Sequence, residues 1–408
     1  MHTRLSYTIM TCKFPRILLP LIAALVAAAF TASCSSGDNE PTPVPSPPPP
    51  PVKVSRAVLV YMLADNNLSG NDYRNLSDMA AAAAEGALQG NRLIVYHDDR
   101  NAAAPSLKEV TAEGIKTIRR YDITGFSTDP VRLSAVIEDF KEAAPADAFG
   151  FVFWSHAFGW QMANTPADTD ARPQWLGDDC GRHMDVDRFA AVMQGQGFDY
   201  VYFDCCHMAS VESLYEMRHI APAFVASCAE MLAAGSPYRK ILRHLMADTP
   251  DLVAAAKATF DHYDAMTGKA RTSTMSVIDA AGLERLAAVT RDIFSLQPRL
   301  PQQYSPQNYE RGVELADGVR RLFDFGDYMD ALCAGDPTLE APLARWHEAL
   351  DGCVRWKAAT PAIFNTLVIR KHCGLSTFIM RQPSDAGVSG YNRLKWYSDV
   401  AGTLYPSE

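Results

Sequence analysis

The sequence has few of the features that mark nucleic-acid-binding, disulfide-stabilised or membrane-spanning proteins. Its 38 Lys+Arg are outnumbered by 47 Asp+Glu, for a formal net charge of −9, and they form no basic cluster of the kind that binds a phosphate backbone. Nine cysteines in 408 residues are too few for a small disulfide-stabilised domain. The apolar run at residues 17–30 is too short to cross a bilayer comfortably. What remains is a globular composition, 48% hydrophobic and 21% charged, sufficient for a core in one large or two modest domains.

The N-terminal segment resembles a bacterial export signal. Basic residues precede the apolar run, which ends in Thr31-Ala32-Ser33-Cys34. Small residues before a cysteine are similar to a lipobox, in which cleavage leaves the cysteine as a lipid-modified N-terminus. Thr31 stands where a lipobox prefers Leu, so a soluble secreted form is the alternative. We therefore predict a signal peptide at residues 1–33, lipidation of Cys34 and export to the cell envelope or surface, with the outer membrane favoured.

Residues 34–54 predict a tether. Small and acidic residues follow Cys34, and prolines dominate residues 41–51, which favours a semi-rigid extended spacer. Acidic residues directly after the cysteine resemble surface lipoproteins of the Bacteroides type. The lipid is then the only expected contact with a membrane.

The body of the chain alternates apolar, β-branched runs with helical patterns. The runs predict strands at residues 57–62, 92–96, 149–154, 200–203 and 223–227, and the patterns between them predict helices at residues 73–88, 130–144 and 185–195. This alternation is typical of an α/β fold with a mainly parallel sheet and helices on both faces. Further helices are predicted at residues 252–263, 280–294, 326–334, 343–356 and 391–404.

Two residues with catalytic potential follow predicted strands. His156 comes after the strand at residues 149–154, and Cys206 comes after the strand at residues 200–203. Ligands of parallel α/β sheets bind beyond the carboxyl ends of the strands, and an imidazole beside a thiol can take its proton and so activate it. The residues alone leave an alternative open, because a histidine in a turn and a cysteine in a core are both common.

Two segments around these residues resemble motifs of the clostripain family of cysteine endopeptidases. Residues 153–160, Phe-Trp-Ser-His-Ala-Phe-Gly-Trp, are similar to its W-S-H-G-x-G-W segment, and residues 203–212, Phe-Asp-Cys-Cys-His-Met-Ala-Ser-Val-Glu, are similar to its F-D-A-C-L-M-x-x-x-E segment. Shorter matches lie at residues 65–68, 177–179 and 374–379. The resemblance extends over roughly residues 56–405.

The resemblance implies a caspase-like α/β/α sandwich and a His/Cys dyad. Residues 55–245 are then expected to form the catalytic core, and residues 246–408 a mostly helical region that completes the peptidase domain. His156 matches the catalytic histidine, and the D-x-C spacing selects Cys206 over Cys205 as the nucleophile. The backbone N–H groups of Cys206 and Ala157 are expected to hold the oxyanion. Asp204 matches the acid of the primary specificity pocket, which implies cleavage of proteins or peptides after Arg or Lys.

Departures from the motifs leave other functions open. Ala157 replaces a glycine, which would distort the oxyanion hole if that position requires a positive φ, and His207 replaces an apolar residue beside the nucleophile. A second pocket acid does not align, although Glu230 is near. A catalytically impaired surface protein that acts in binding is therefore one alternative. Zinc binding by His156, Cys206 and His207 is another, and it lacks any recognised metal-ligand spacing.

The resemblance implies no certain cofactor and assigns no metal ligand. Some family members bind calcium, and Asp178, Asp179, Asp185 and Asp187 offer oxygen ligands without EF-hand spacing, so a solvated acidic loop is the simpler interpretation. Some members cleave themselves between the two catalytic residues, where Arg172, Arg182 and Arg188 are the basic candidates.

The nine cysteines reduce to seven if Cys12 leaves with the signal peptide and Cys34 carries lipid. The odd remainder is expected if Cys206 stays a free thiol.

Overall fold

The computed structural model describes residues 52–161, 176–301, 303–311 and 320–405. The predicted signal peptide, Cys34, all but the last residues of the tether and Arg172 lie outside the described residues. Within those ranges, no helix has both the length and the hydropathy that crossing a bilayer requires.

Short and long strands alternate with helices along the described chain. In chain order the strands are β1 (Val54–Ala64), β2 (Arg92–Asp99), β3 (Ser106–Thr111), β4 (Gly114–Arg120), β5 (Ala146–Trp154), β6 (Leu176–Asp179), β7 (Arg182–Met184), β8 (Phe198–Asp204), β9 (Ala223–Ala226), β10 (Thr274–Asp279), β11 (Phe323–Asp324), β12 (Val354–Ala359), β13 (Ala362–Ile363), β14 (Leu367–Val368) and β15 (Ser376–Thr377).

The α-helices are α1 (Asn71–Ala84), α2 (Pro130–Ala143), α3 (Val186–Met193), α4 (Val211–Glu216), α5 (Tyr238–Leu245), α6 (Leu252–Asp264), α7 (Ala280–Ser295), α8 (Phe325–Cys333), α9 (Glu340–Cys353) and α10 (Lys395–Asp399). Short 3₁₀ segments lie at Gly268–Ala270, Pro337–Leu339, Pro383–Arg393 and Ala401–Leu404.

Nine of the strands form one sheet in the order β12-β10-β9-β8-β5-β1-β2-β3-β4. The five central strands, from β9 to β2, are parallel to one another, whereas β10 and β12 at one edge and β3 and β4 at the other are antiparallel to their neighbours. The predicted α/β fold with a mainly parallel sheet is confirmed. The residues that follow the parallel strands lie together at the carboxyl-end edge of this sheet.

The central strands are buried on both faces because helices cover both. Alternate residues of β1 enter different cores: Leu59 and Tyr61 pack in one cluster, and Val58 and Val60 pack in the other. Successive strand side chains point to opposite faces, so a strand between two helical layers must be apolar at every position. This explains the continuous apolar runs in the sequence.

The C-terminal third differs from its predicted helical content in two places. The helix expected at residues 343–356 ends at Cys353, and Val354–Ala359 continues as β12 with alternating burial. The helix expected at residues 391–404 is replaced by a 3₁₀ segment, the five-residue α10 and a second 3₁₀ segment. Val400, at φ −135° and ψ −69°, breaks the helical path between the last two. The apolar residues of this C-terminal segment pack in the core although its backbone is irregular. Apolar residues at helical spacing therefore did not mean a continuous helix here.

Candidate active site

Three adjacent parallel strands place the predicted site residues at one edge of the sheet. Met62 of β1 pairs with Trp154 of β5, and Trp154 pairs with Asp204 of β8. The chain segments that follow these three positions therefore leave the sheet side by side. They line a cavity of about 770 Å³ whose wall includes Asn67, His156 and Cys206.

His156 is oriented by Asn67, from the segment that follows β1. Its Nε2 is hydrogen-bonded to Asn67 Oδ1. Because an amide oxygen has no proton to donate, Nε2 carries the imidazole proton in this contact, and in the neutral ring Nδ1 is the nitrogen with the basic lone pair. Burial lowers the pKa of His156 to about 4, so the imidazole is neutral near pH 7. A neutral imidazole is the form that can act as a general base.

Cys206 is a protonated thiol in this resting arrangement. The backbone N–H of Met231 donates to Sγ at 3.2 Å. Burial raises the pKa of Cys206 to about 12, and the negative charges of Glu230 and Asp204 act in the same direction. The pair at rest is thus a neutral thiol and a neutral imidazole, with His156 bonded to Asn67 rather than to the thiol. Cys205 is buried in the core.

Ala157 does not have the positive φ at which a Cβ atom would strain the backbone. Among the described non-glycine residues it is not one of those with positive φ, and the left-handed conformation falls instead at Gly159, at φ +69°. Ala157 forms a bridge with Leu176, next to a bond in which Gly177 N–H donates to His156 O at 2.9 Å. That bond does not use the Ala157 N–H. The distortion considered for this departure from the family motif therefore does not arise from φ.

Asp204 is a buried carboxylate at the cavity wall, 4% exposed. It accepts hydrogen bonds from Ser236 N–H at 2.9 Å, from the Ser236 hydroxyl at 3.0 Å and from the Tyr238 hydroxyl at 2.8 Å. Burial raises its pKa, and these three bonds oppose that rise. Among the described residues no Lys or Arg forms an ion pair with it. Its charge is stabilised by neutral donors but not neutralised.

Glu230 lies on the same wall and, unlike Asp204, forms an ion pair with a cationic side chain. Arg311 Nε donates to Glu230 Oε2 at 2.8 Å, and the Arg311 guanidinium lies over the ring of Phe364, 4.2 Å from its centroid. The residue considered as a second pocket acid is therefore in the cavity, and it is paired.

The residues considered for metals are arranged differently from what a metal site needs. His207 is fully buried, and its Nδ1 bonds to Cys228 O at 3.0 Å, so it does not join His156 and Cys206 as a zinc ligand. In the described ranges, possible ligands converge instead at Asp72, His97 and Asp99. There Lys108 Nζ lies 2.7 Å from His97 Nδ1 and supplies a positive charge.

The acidic stretch suggested for calcium is not a solvated loop. Asp179 is buried and accepts the backbone N–H of Ser127 at 2.5 Å, and Asp185 is buried at the N-cap of α3. Burial raises the pKa of Asp178 to about 6. Of the self-cleavage candidates, Arg182 lies in β7 and Arg188 lies in α3, both exposed.

Sequence reasoning did not assign roles to Asn67, Met231 or Arg311. Asn67 lies in the matched segment at residues 65–68, and its position after β1 was a usable signal, because β1 is the neighbour of β5. Met231 acts through its backbone and Arg311 comes from a distant segment. Neither of these two roles can be recognised from the local sequence.

The comparisons with known proteins concern the family and the fold of the chain. The sequence model of the clostripain family matches residues 60–308. The solved structure of an inactive zymogen of a C11 protease from Parabacteroides distasonis is 27% identical, with a TM-score of 0.72, covering 86% of this chain and 99% of that one. A secreted C11 cysteine protease from Bacteroides thetaiotaomicron, solved with an irreversible peptide inhibitor, is 26% identical, with a TM-score of 0.70, covering 85% and 98%.

A further structure, the secreted C11 cysteine protease iotapain from Bacteroides thetaiotaomicron, is 21% identical with a TM-score of 0.72 over 86% of this chain and 100% of that one, and it shares the fold. A search among curated proteins found no significant match. Since the family match extends over more than half of the chain and solved members share its fold along nearly their whole length, the chain belongs to the clostripain family and is a cysteine endopeptidase.

Proposed function

We propose that Cys206 and His156 form the catalytic dyad. Cys206 Sγ attacks the scissile carbonyl carbon while Nδ1 of His156 accepts the thiol proton, and His156 then donates that proton to the leaving amine. Water hydrolyses the resulting thioester with His156 again as base. The N–H groups of Cys206 and Ala157 stabilise the oxyanion of each tetrahedral intermediate. Support comes from the placement of both side chains on one cavity wall.

We propose further that the enzyme cleaves after Arg or Lys, with Asp204 as the acid that binds the basic side chain. The main support for this specificity is a difference between the two acidic residues of the cavity. Glu230 is paired with Arg311, whereas Asp204 is held by three neutral donors. A buried carboxylate lacking a cation favours binding one, and charge-assisted hydrogen bonds are stronger than neutral ones. A cationic side chain entering the cavity would thus be drawn to Asp204.

The test is a positional peptide library cleaved by the wild type and by Asp204→Asn. Asparagine keeps the size and the acceptor oxygen and removes the charge. We expect the wild type to cleave after Arg or Lys, and the variant to lose at least a hundredfold in kcat/KM for those peptides, about 2.8 kcal/mol at ~1.4 kcal/mol per tenfold. Unchanged preference in the variant would refute the role of Asp204. Activity retained by Cys206→Ala would refute the dyad itself.

We also propose that the chain is exported and anchored by lipid at Cys34. The motif at residues 31–34 supports this, together with the description of a related C11 protease as secreted. Expression in a bacterial host with radiolabelled palmitate tests it. The wild type is expected to carry label and to sediment with membranes, whereas Cys34→Ala is expected to carry none. A wild type without label and free in the medium would favour the soluble secreted form.

A further inference from the structure

One buried side chain, that of Asn75, joins two parts of the cavity wall although Asn75 itself does not line the cavity. Asn75 lies on the buried face of α1 and is 2% exposed. Its Oδ1 accepts the indole N–H of Trp154 at 2.7 Å, and its Nδ2 donates to the carbonyl oxygen of Ala234 at 2.9 Å. An asparagine amide offers both an acceptor and donors, so one residue bonds to both partners at once.

The two partners lie on either side of Asp204. Trp154 is paired with Asp204 across β5 and β8. Ala234 belongs to residues 232–236, called the wall segment below, and three residues of this segment line the cavity. Its last residue, Ser236, donates to the Asp204 carboxylate through its backbone N–H at 2.9 Å and through its hydroxyl at 3.0 Å. The amide on α1 therefore holds the segment that supplies two of the three hydrogen bonds to this carboxylate.

The wall segment packs directly against the same amide at Gly235. Gly235 has a φ of +71°, and a Cβ atom there would lie 2.7 Å from Asn75 Oδ1, 2.9 Å from Trp154 Nε1 and 3.1 Å from Asp204 Oδ2. Interiors of proteins are close-packed, so even one added carbon displaces its neighbours. The backbone of Gly235, the bond between Asn75 and Trp154, and the carboxylate thus form one tightly packed unit.

We propose that Asn75 is a positioning residue that determines specificity, because it holds the wall segment where Asp204 can bind the basic side chain of a substrate. The inference rests on the proposed role of Asp204. Without the amide, the wall segment loses its bond to α1, and the indole N–H of Trp154 is left buried without its acceptor. The segment would shift, and the two donors of Ser236 would no longer be aligned with the carboxylate.

The effect should fall on binding rather than on the chemical step. The groups proposed for the chemistry are held by other contacts, since His156 is bonded to Asn67 and the thiol of Cys206 to the backbone N–H of Met231. A contact that holds the substrate equally in the ground state and in the transition state changes KM and leaves kcat alone. Loss of Asn75 is therefore expected to raise KM for peptides with a basic residue before the scissile bond.

Asn75→Leu removes both hydrogen bonds and keeps a side chain of similar size. Asn91→Leu is its matched control. Asn91 is 7% exposed, its Oδ1 accepts the backbone N–H of Arg56 at 2.8 Å, and its Nδ2 donates to the carbonyl oxygen of Met246 at 2.8 Å. It makes the same two kinds of bond away from the cavity, so it reports the effect of losing a buried amide on folding alone.

Gly235→Ala disturbs the same unit from the side of the wall segment. Gly197→Ala is its matched control, because Gly197 has a φ of +70° and a Cβ atom there meets nothing within 4 Å. Both substitutions impose the same strain of a left-handed alanine. Only Gly235→Ala pushes a carbon against Asn75, Trp154 and Asp204.

The variants are compared with the wild type on fluorogenic peptide amides with Arg or Lys before the scissile bond, with folding checked by circular dichroism. We expect Asn75→Leu and Gly235→Ala each to raise KM at least fivefold with kcat within threefold. Asn91→Leu and Gly197→Ala should keep both constants within twofold. Because Asn75 acts through Asp204, adding Asn75→Leu to Asp204→Asn should change kcat/KM by no more than threefold.

A wild-type KM in Asn75→Leu would overturn the proposal, as would an equal rise of KM in Asn91→Leu or a full multiplied loss in the Asp204→Asn background. If Asn75→Leu does not fold, Gly235→Ala decides, and a KM equal to that of Gly197→Ala refutes the positioning role. Asp204→Asn alone separates the two levels of inference. If it keeps the preference for basic residues, the proposed pocket acid is wrong; if it loses that preference while Asn75→Leu matches Asn91→Leu, only the role of Asn75 is wrong.

Discussion

The side chain of Cys206 is held in its less reactive form by its own surroundings. Burial raises its pKa to about 12 and lowers that of His156 to about 4, so between these limits the free enzyme has no thiolate–imidazolium pair. Alkylation requires the thiolate, whose fraction rises about tenfold per pH unit below the pKa.

We therefore predict that iodoacetamide modifies Cys206 in the free enzyme about tenfold faster for each pH unit between pH 7 and pH 10. Peptide mass mapping distinguishes Cys206 from the five other free thiols of the described residues, which are buried. A constant rate between pH 6 and pH 8 would instead reveal a preformed ion pair.

The contact between Asn67 and His156 predicts a positioning role for the amide. Without Oδ1, the imidazole loses the bond that fixes its tautomer and ring orientation. We predict that Asn67→Ala lowers kcat roughly tenfold, about 1.4 kcal/mol, with little change in KM. Steady-state kinetics measure both constants.

Asn392→Ala provides the control, since Asn392 is an exposed asparagine that does not line the cavity. Its kinetic constants should equal those of the wild type. A fully active Asn67→Ala would mean that other contacts suffice to orient His156.

At the scale of elements, β5 depends on a glycine in its centre. A Cβ atom at Gly150 would collide with the ring and hydroxyl of Tyr200, with Cε1 at only 2.7 Å. Tyr200 is fully buried, and its hydroxyl donates to Leu245 O at 3.0 Å, so the ring has no room to retreat. We predict that Gly150→Ala lowers the free energy of unfolding by about 1–3 kcal/mol through overpacking, as measured by urea denaturation.

Gly352→Ala is the matched control for Gly150→Ala. Gly352 lies in α9, and a Cβ there meets no atom within 4 Å, so this variant should be more stable by about 0.5–1 kcal/mol. Equal effects of the two substitutions would show that the close approach of Tyr200 does not matter.

Elements with continuous or helical patterning could be predicted from the sequence, and elements without it could not. β1 has nine consecutive buried residues, and the sequence located it together with the four other parallel strands. β4 is largely exposed, with Lys and Arg among its seven residues, and it gives no apolar signal. β12 was taken for the end of a helix because Val354 and Trp356 continue the apolar spacing of α9, although in the strand they pack against different cores.

The same distinction applies to the site. His156, Cys206 and Asp204 follow recognisable strands and matched motifs, so their place at one sheet edge could be anticipated. The bonds from Ser236 and Tyr238 to Asp204, and the bond from Arg311 to Glu230, join residues more than 30 positions apart. Only the folded chain brings them together.

At the scale of the whole molecule, the region after residue 246 is part of the sheet. β10 pairs with β9, matching Val277 to Val225, and β12 then pairs with β10. Residues 55–245 alone would leave β9 as an edge strand whose four residues, Ala223–Ala226, are all buried in the full chain. An exposed apolar edge strand favours aggregation.

We predict that a fragment of residues 55–245 does not unfold cooperatively in urea and aggregates, whereas residues 55–405 unfold in a cooperative transition. Circular dichroism and gel filtration measure both. A stable, monomeric 55–245 fragment would support a boundary near residue 245, which stays a prediction here.

The direction of β1 determines how an anchored enzyme would face its surroundings. The chain enters β1 at Val54, beside the start of β5, and leaves it at Ala64, beside the cavity. Its 11 residues span about 36 Å at ~3.3 Å each. In a molecule attached to a bilayer through its N-terminal spacer, the attachment point would thus lie at the end of the sheet opposite to the cavity. The mouth of the cleft would open toward the medium, and a large protein substrate could reach it without passing between enzyme and membrane.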